Sequence, residues 1–156
     1  MEKEAKTTLL VILLLITGAA LWWWASIEDD LVGNWVDYNG VEIEHLEGGT
    51  SNFNGKAIEN LTWVIDDGEW IWSQTWEDDN GSHSATSVYS FEIIDDVLYS
   101  LAIEYMVDGE DLTHLVEADT CWAYVSADVA DSADDWKEHV ASADKPQWCD
   151  AIHHLE

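Results

Sequence analysis

The sequence has no arginine and only five lysines against 33 aspartates and glutamates, which gives a formal net charge of −28. Proteins that bind DNA or RNA need clustered lysine and arginine to displace the counterions of the phosphate backbone. A nucleic-acid partner is therefore excluded. Proline occurs once, and proline and glycine are sparse between the predicted strands, so no long loop is available to act as a lid.

Motifs for catalysis are also missing. The chain has no Gly-x-Ser-x-Gly, no phosphate-binding loop and no Cys-x-x-Cys pair, and none of its six histidines has zinc-ligand spacing on a predicted helix. His45 and His114 fall on predicted strands, where we expect partly buried polar side chains. Acids are so numerous that no catalytic pair of carboxylates can be singled out. We expect neither enzymatic activity nor an organic cofactor.

What the chain does contain indicates a folded domain. Hydrophobic residues make up 47% of the sequence and eleven residues are tryptophan, far from the aromatic-poor composition of disordered acidic chains. The length of 156 residues suits one domain. A surface this acidic repels itself in dilute buffer and is tolerated where salt screens it, which favours a salty habitat or an acidic cell surface.

The N-terminal segment predicts a membrane anchor. Residues 7–25 carry no charge, and a helix of this length spans roughly 28 Å of hydrocarbon. Lys3 and Lys6 precede it, so the positive-inside rule leaves the N-terminus in the cytoplasm and the remainder outside. The indoles of Trp22, Trp23 and Trp24 suit the outer membrane interface. A cleaved signal peptide ending at 18–20 is the alternative, and it too exports the domain.

Turn signals divide the exported chain into strands. Asn-Gly and Asp-Gly pairs recur every 13 to 15 residues, with Asp95-Asp96 filling the one gap. They predict an antiparallel up-and-down meander or barrel of eight strands near 33–38, 41–46, 50–54, 60–66, 69–77, 84–94, 97–107 and 112–126. The turns at Asn39, Asn54, Asn80 and Asp108 then share one end of the sheet, here called the distal end.

An amphipathic helix is predicted after the strands. Trp136 and Val140 repeat at helical spacing, Ser132 suits the N-cap, and Pro146 lies beyond the end, which predicts a helix over 132–143. The expected organisation is a cytoplasmic tip and anchor at 1–26, an acidic linker at 27–32, the β-domain at 33–126 and a C-terminal helix and tail at 127–156.

This layout resembles the lipocalin-like up-and-down β-barrels. Those families carry a Gly-x-Trp motif at the barrel entrance, which Gly33-Asn34-Trp35 matches, and they often have a helix after the last strand. The resemblance implies a barrel with an internal cavity for a small apolar ligand. Alternatively, Trp35 is a core anchor of the kind that any small β-domain contains.

Four tryptophans are candidates for a ligand site. Trp70, Trp72 and Trp76 share one strand parity, and Trp63 lies on the strand paired with theirs. On neighbouring strands their indoles would line a cavity or form a stacking platform. The alternative is that large side chains simply fill the interior of a small barrel.

Acids and sequons near the distal end give further candidates. We expect weak Ca²⁺ binding by Asp78, Asp79, Asp108, Glu110 and Asp111, at the millimolar level of extracellular sites. Two glycosylation sequons begin at Asn60 and Asn80.

The two cysteines, Cys121 and Cys149, are expected to form a disulfide, because both lie in the part of the chain predicted to be exported. The alternative is two buried free thiols.

Three roles follow from these features. The first is a membrane-anchored, acidic binding or assembly module displayed at the cell surface, held in the lipid bilayer through residues 7–25 and able to bind other membrane or surface proteins. The second is a lipocalin-like carrier of a small apolar ligand. The third is an accessory single-span subunit of a membrane complex, in which the small residues at 17–20 pack against other helices.

Overall fold

The computed structural model describes residues 30–155, and it divides into two compact units, the second of which begins at Val32. The predicted anchor at 7–25, with Trp22, Trp23 and Trp24, lies outside the described residues. Between residues 30 and 155 no helix combines the length and the apolar composition needed to cross a bilayer.

The second unit is mainly antiparallel β-sheet with one α-helix, as predicted. Its elements are β1 (Gly33–Val36), β2 (Glu42–Leu46), β3 (Thr50–Phe53), β4 (Lys56–Ala57), β5 (Leu61–Asp66), β6 (Glu69–Asp78), β7 (Gly81–Ile94), β8 (Val97–Val107), β9 (Glu110–Asp111), a 3-10 helix (Thr113–Leu115), β10 (Thr120–Ser126), α1 (Ala133–Ser142) and β11 (Ala151–Ile152). The three two-residue strands β4, β9 and β11 were not predicted. Each is too short to show an alternating pattern.

The predicted turns join these strands through left-handed backbone. Asp67 has a φ of 51° and Gly68 a φ of 80°, and the pairs at 54–55, 95–96 and 108–109 likewise have two positive φ angles in succession. Two successive positive φ angles twist the hairpin in the sense that the flanking strands require. Aspartate and asparagine tolerate this conformation better than other residues with a side chain.

The strands follow one another around the sheet in the order β4-β3-β2-β1-β10-β8-β7-β6-β5. Strand β1 therefore pairs with β10, which comes last in the sequence among the strands of this path, and Trp35 lies opposite Ser126. At the other end of this path the Trp63 backbone N–H donates to the Gly49 carbonyl at 2.7 Å, and its indole Nε1 donates to the Thr50 carbonyl at 3.0 Å. These two hydrogen bonds bring β5 against the start of β3.

Gly49 is required at this contact. A Cβ atom at this position would lie 2.1 Å from the Trp63 carbonyl oxygen, and the φ of 81° is one that residues with a side chain rarely adopt. The Gly48-Gly49 turn therefore allows the close approach of two strands that are distant along the hydrogen-bonded path.

Helix α1 packs against one face of β8 and β10. The Ser132 hydroxyl accepts a hydrogen bond from the Asp135 N–H, which confirms the predicted N-cap. The buried Trp136 and Val140 belong to one hydrophobic cluster with Val97 and Tyr99 of β8 and the buried residues of β10. The Trp136 Nε1 donates a hydrogen bond to the Ala123 carbonyl at 2.9 Å. The helix begins and ends within one residue of the predicted bounds.

The predicted disulfide is confirmed. Cys121 on β10 is bonded to Cys149, with a Cα–Cα distance of 5.7 Å, and both residues are fully buried. The bridge ties the segment after α1 to the strand that α1 covers, and β11 then pairs in parallel with the start of β10.

The last long strand begins later than predicted. Residues 112–119 form the 3-10 helix and a loop, and strand β10 starts only at Thr120. His114, which we expected on a strand, is therefore on the 3-10 helix and exposed. The Asp111 carboxylate accepts a hydrogen bond from the Thr113 N–H, and this local bond competes with continued strand pairing.

Candidate ligand-binding site

Three of the four candidate tryptophans lie close together on one face of the sheet. Trp63 on β5 is directly opposite Trp72 on β6, and the Trp70 and Trp72 ring centroids are 5.1 Å apart. Directly paired residues share a face, and every second residue along a strand does the same. The same face continues across β7 through Tyr89, which pairs with Trp70.

A cavity of about 330 Å³ lies against this face. It is lined by nine uncharged residues: Phe53, Ile58, Leu61, Trp72, Gln74, Ala85, Ser87, Tyr89 and Tyr105. Phe53 is the last residue of β3 and Leu61 the first of β5, so the cavity lies toward the distal end. Phe53 is 38% exposed, which indicates that solvent reaches the cavity from that end. The volume falls at the small end of the roughly 300–1,000 Å³ of typical ligand pockets.

Two polar side chains and two phenols give the cavity hydrogen-bonding capacity. Gln74 offers an amide, Ser87 a hydroxyl, and Tyr89 and Tyr105 their phenols. Burial raises the pKa of Tyr89, so its phenol is neutral at physiological pH. The cavity is therefore aromatic, uncharged and able to orient a ligand through a few polar contacts.

Next to Trp72, which lines the cavity, a buried histidine is packed among tryptophans. The His45 ring centroid lies 5.8 Å from Trp63, 5.2 Å from Trp70 and 5.6 Å from Trp72, each at a steep interplanar angle. Its Nδ1 shares a hydrogen bond of 2.9 Å with the Ser51 hydroxyl. Burial lowers the pKa of His45 to about 4, so the ring is neutral at pH 7. Trp63 and Trp70 are buried, while Trp72 lines the cavity, and the ligand site at these tryptophans stays a prediction.

Two indole donors in this cluster have no partner among residues 30–155. The Nε1 atoms of Trp70 and Trp72 are buried without a hydrogen bond. A buried donor left unpaired costs about 1–3 kcal/mol of folding free energy.

Trp76 does not belong to this site. It pairs with His83 and stacks on its ring at a centroid distance of 5.4 Å. Pairing between β5 and β6 ends at Gln74, so beyond that point the β6–β7 hairpin protrudes as a two-stranded ribbon. Trp76 has the predicted strand parity, but the sheet that would bury it has already ended, and its side chain is 37% exposed.

The distal acids are organised by His83. Its Nδ1 lies 2.6 Å from the Asp108 carboxylate and its Nε2 lies 3.1 Å from the Asp78 carboxylate. Of the residues described, no three or more histidines, cysteines or acids are grouped so that they could hold a metal ion. Asp79, Glu110 and Asp111 do not join the His83 cluster. The proposed Ca²⁺ site stays a prediction.

These contacts predict a histidine with a raised pKa. The hydrogen bond to Asp108, followed by that to Asp78, raises the pKa of His83. We expect Asp108→Asn to lower the His83 pKa and the matched control Asp79→Asn to leave it unchanged, as measured by NMR titration of the imidazole. A raised folded-state pKa stabilises the fold at pH values below the unfolded pKa, and this stabilisation is lost as the pH rises through the folded value. An Asp108→Asn variant with an unaltered titration would contradict the assignment.

The two sequon asparagines are both accessible. Asn80 is exposed at the β6–β7 turn, and its backbone N–H donates to the Asp78 carboxylate. Asn60 is exposed with a φ of 57° immediately before β5.

Sequence reasoning missed most of the cavity lining. Phe53, Tyr89 and Tyr105 belong to strands that were predicted, and their strand parity was readable. The sequence did not show which strands, distant along the chain, become neighbours in the fold.

No family model, curated protein or solved structure matches this chain.

Proposed function

We propose that the protein is a small-molecule-binding domain that holds its ligand in the aromatic cavity between β3, β5, β6, β7 and β8. The observation that carries this proposal is the 330 Å³ cavity, which is lined by aromatic and uncharged polar side chains and reached by solvent. A cavity with this lining is the usual form of a small-ligand site. Of the three roles suggested by the sequence, the carrier accounts for this cavity best.

A closed eight-strand barrel of the lipocalin kind is the architecture we propose for this carrier. The supporting observations are the sequential strand order, the pairing of β1 with β10, and the Trp63–Gly49 hydrogen bond between β5 and the start of β3. Eight strands leave an interior that side chains fill or that holds one small ligand. Trp35, of the Gly-x-Trp motif, is buried on β1.

Display outside a membrane remains part of the proposal. Its support is the uncharged segment at 7–25, the lysines that precede it, and a disulfide of the kind that persists in oxidising compartments. In this setting the acidic exterior keeps the carrier soluble and monomeric. Other surface proteins are then partners for ligand transfer.

The test is to fill the cavity. Ala85 lines it from β7, and we expect Ala85→Trp to occupy the space that a ligand needs. Wild-type protein purified gently from its native source should carry a small-molecule adduct in native mass spectrometry, and the variant purified in the same way should not. The matched control is Val64→Trp, which places the same side chain on β5 at a position that is 53% exposed. This control should retain the adduct.

Circular dichroism and thermal unfolding establish that both variants are folded. A wild-type protein that never carries an adduct, or an adduct that survives Ala85→Trp in folded protein, would contradict a carrier role for this cavity.

A further inference from the structure

The chemistry of the cavity narrows the class of ligand, if the proposed binding function holds. Four of the nine lining residues are aromatic: Phe53, Trp72, Tyr89 and Tyr105. None of the nine carries a formal charge. Aromatic rings attract cations through the negative potential of their faces, and tryptophan does so most strongly.

The dimensions of the cavity bring any bound charge close to these rings. A sphere of 330 Å³ has a radius of about 4 Å, and cation–π attraction acts within about 6 Å of a ring centroid. A cationic group bound in a space of this size therefore lies within range of the aromatic rings that line it. At an exposed site this attraction contributes about 0.5–1 kcal/mol, and partial burial between the lining side chains increases it.

The distal end of the sheet, toward which the cavity lies, carries net negative charge. The turns that connect the cavity-lining strands at this end, together with the strand residues next to them, carry six acids against one lysine, Lys56: Glu59, Asp78, Asp79, Asp108, Glu110 and Asp111. His83 partly compensates Asp78 and Asp108. A cleft bordered by one sign of charge concentrates ligands of the opposite sign and repels those of the same sign. Fatty acids and other anions are thus disfavoured.

The lining also selects among cations. A metal ion would require carboxylate or carbonyl ligands, and no carboxylate lines the cavity. A primary ammonium is compact and strongly hydrated, so its burial requires several hydrogen-bond acceptors. A quaternary ammonium is held by aromatic side chains without such acceptors. We infer that the ligand is an alkylated organic cation, a quaternary or tertiary ammonium about the size of choline, and that Gln74 or Ser87 orients its polar end.

The experiment compares two molecules that differ in charge and hardly in shape. Isothermal titration calorimetry is performed with choline and with its neutral carbon isostere, 3,3-dimethylbutan-1-ol, in sodium chloride at about 0.15 M ionic strength. We expect choline to bind at least about tenfold more tightly, which corresponds to about 1.4 kcal/mol. Ala85→Trp should abolish choline binding, and Val64→Trp should not.

Variants of Tyr105 test the aromatic contribution. Tyr105→Leu removes the ring and should reduce choline affinity several-fold, with a much smaller effect on the isostere. Tyr105→Phe keeps the ring and should bind choline as the wild type does. Trp76→Leu, on the protruding hairpin, is the control for an exposed aromatic residue and should change neither affinity.

The other outcomes overturn the inference in distinguishable ways. If the isostere binds as tightly as choline and Ala85→Trp abolishes both, the cavity binds ligands but does not select cations. If choline binding survives Ala85→Trp in folded protein, the acidic surface binds it and the cavity does not. If neither molecule binds, the organic-cation assignment is wrong. Whether the cavity holds any other ligand is then decided separately, by the presence or absence of an adduct in native mass spectrometry.

Discussion

Reduction of the Cys121–Cys149 disulfide is expected to lower the free energy of unfolding by about 3.6 kcal/mol. The cysteines are separated by 28 residues, and the chain-entropy model assigns this value to the unfolded-state loop that the bridge closes. Domains of this size are stable by only about 5–15 kcal/mol, so the loss is a large fraction of the total. The enclosed segment contains α1, and we therefore expect the amide protons of α1 to lose protection from hydrogen exchange before those of β6 and β7.

Urea unfolding of the oxidised and the reduced wild-type protein measures this difference directly. The control is the double variant Cys121→Ala/Cys149→Ala, because both cysteines are fully buried and alanine keeps the site apolar. Comparison of this variant with the reduced wild type separates the effect of the lost sulfur atoms from that of the lost cross-link. Equal urea midpoints for the oxidised and reduced wild type would show that the bridge does not stabilise the fold.

Local chemistry explains why the elements were predictable from sequence. Pairs such as Asp67-Gly68 adopt two successive positive φ angles, and they marked the hairpins before any pairing was known. The helix was predicted from the Ser132 cap and the spacing of Trp136 and Val140, all within one short segment. Each of these signals depends on residues close together in the chain.

The cavity was less predictable because long-range pairing forms it. The approach of β5 to the start of β3 depends on the absence of a side chain at Gly49, which in the sequence reads only as a turn. Trp76 has the same strand parity as Trp72, yet lies on a protruding ribbon because β5 stops pairing at Gln74. Alternation identifies the face on which a residue lies, whereas the extent of the neighbouring strands determines whether that face is covered.

The same long-range packing also explains the burial of His45. On β2 alone it is one polar residue in an alternating strand, for which the sequence predicted partial burial. The rings of Trp63, Trp70 and Trp72 come from β5 and β6 and leave it only 3% exposed. A histidine in this environment favours its neutral form, because burial penalises the charged imidazolium.

Acidification should therefore destabilise the fold through His45. Its pKa is lowered from 6.5 to about 4 in the folded state, so between these values the unfolded chain binds a proton that the folded chain does not. Stability from this group is fully present above pH 6.5 and falls as the pH drops toward 4. At 1.36 kcal/mol per pH unit, the total loss is about 3 kcal/mol.

Protonation of the many carboxylates over the same range relieves charge repulsion and acts in the opposite direction, so the measurement must isolate His45. The comparison is between wild type and the double variant His45→Phe/Ser51→Ala, in which both hydrogen-bonding partners are replaced by apolar side chains. The difference between their free energies of unfolding should change by about 3 kcal/mol from pH 7.5 to pH 4 in favour of the variant. A difference that stays constant with pH would mean that His45 titrates alike in the folded and unfolded chains, and the tryptophan cluster would then not exclude the charged ring.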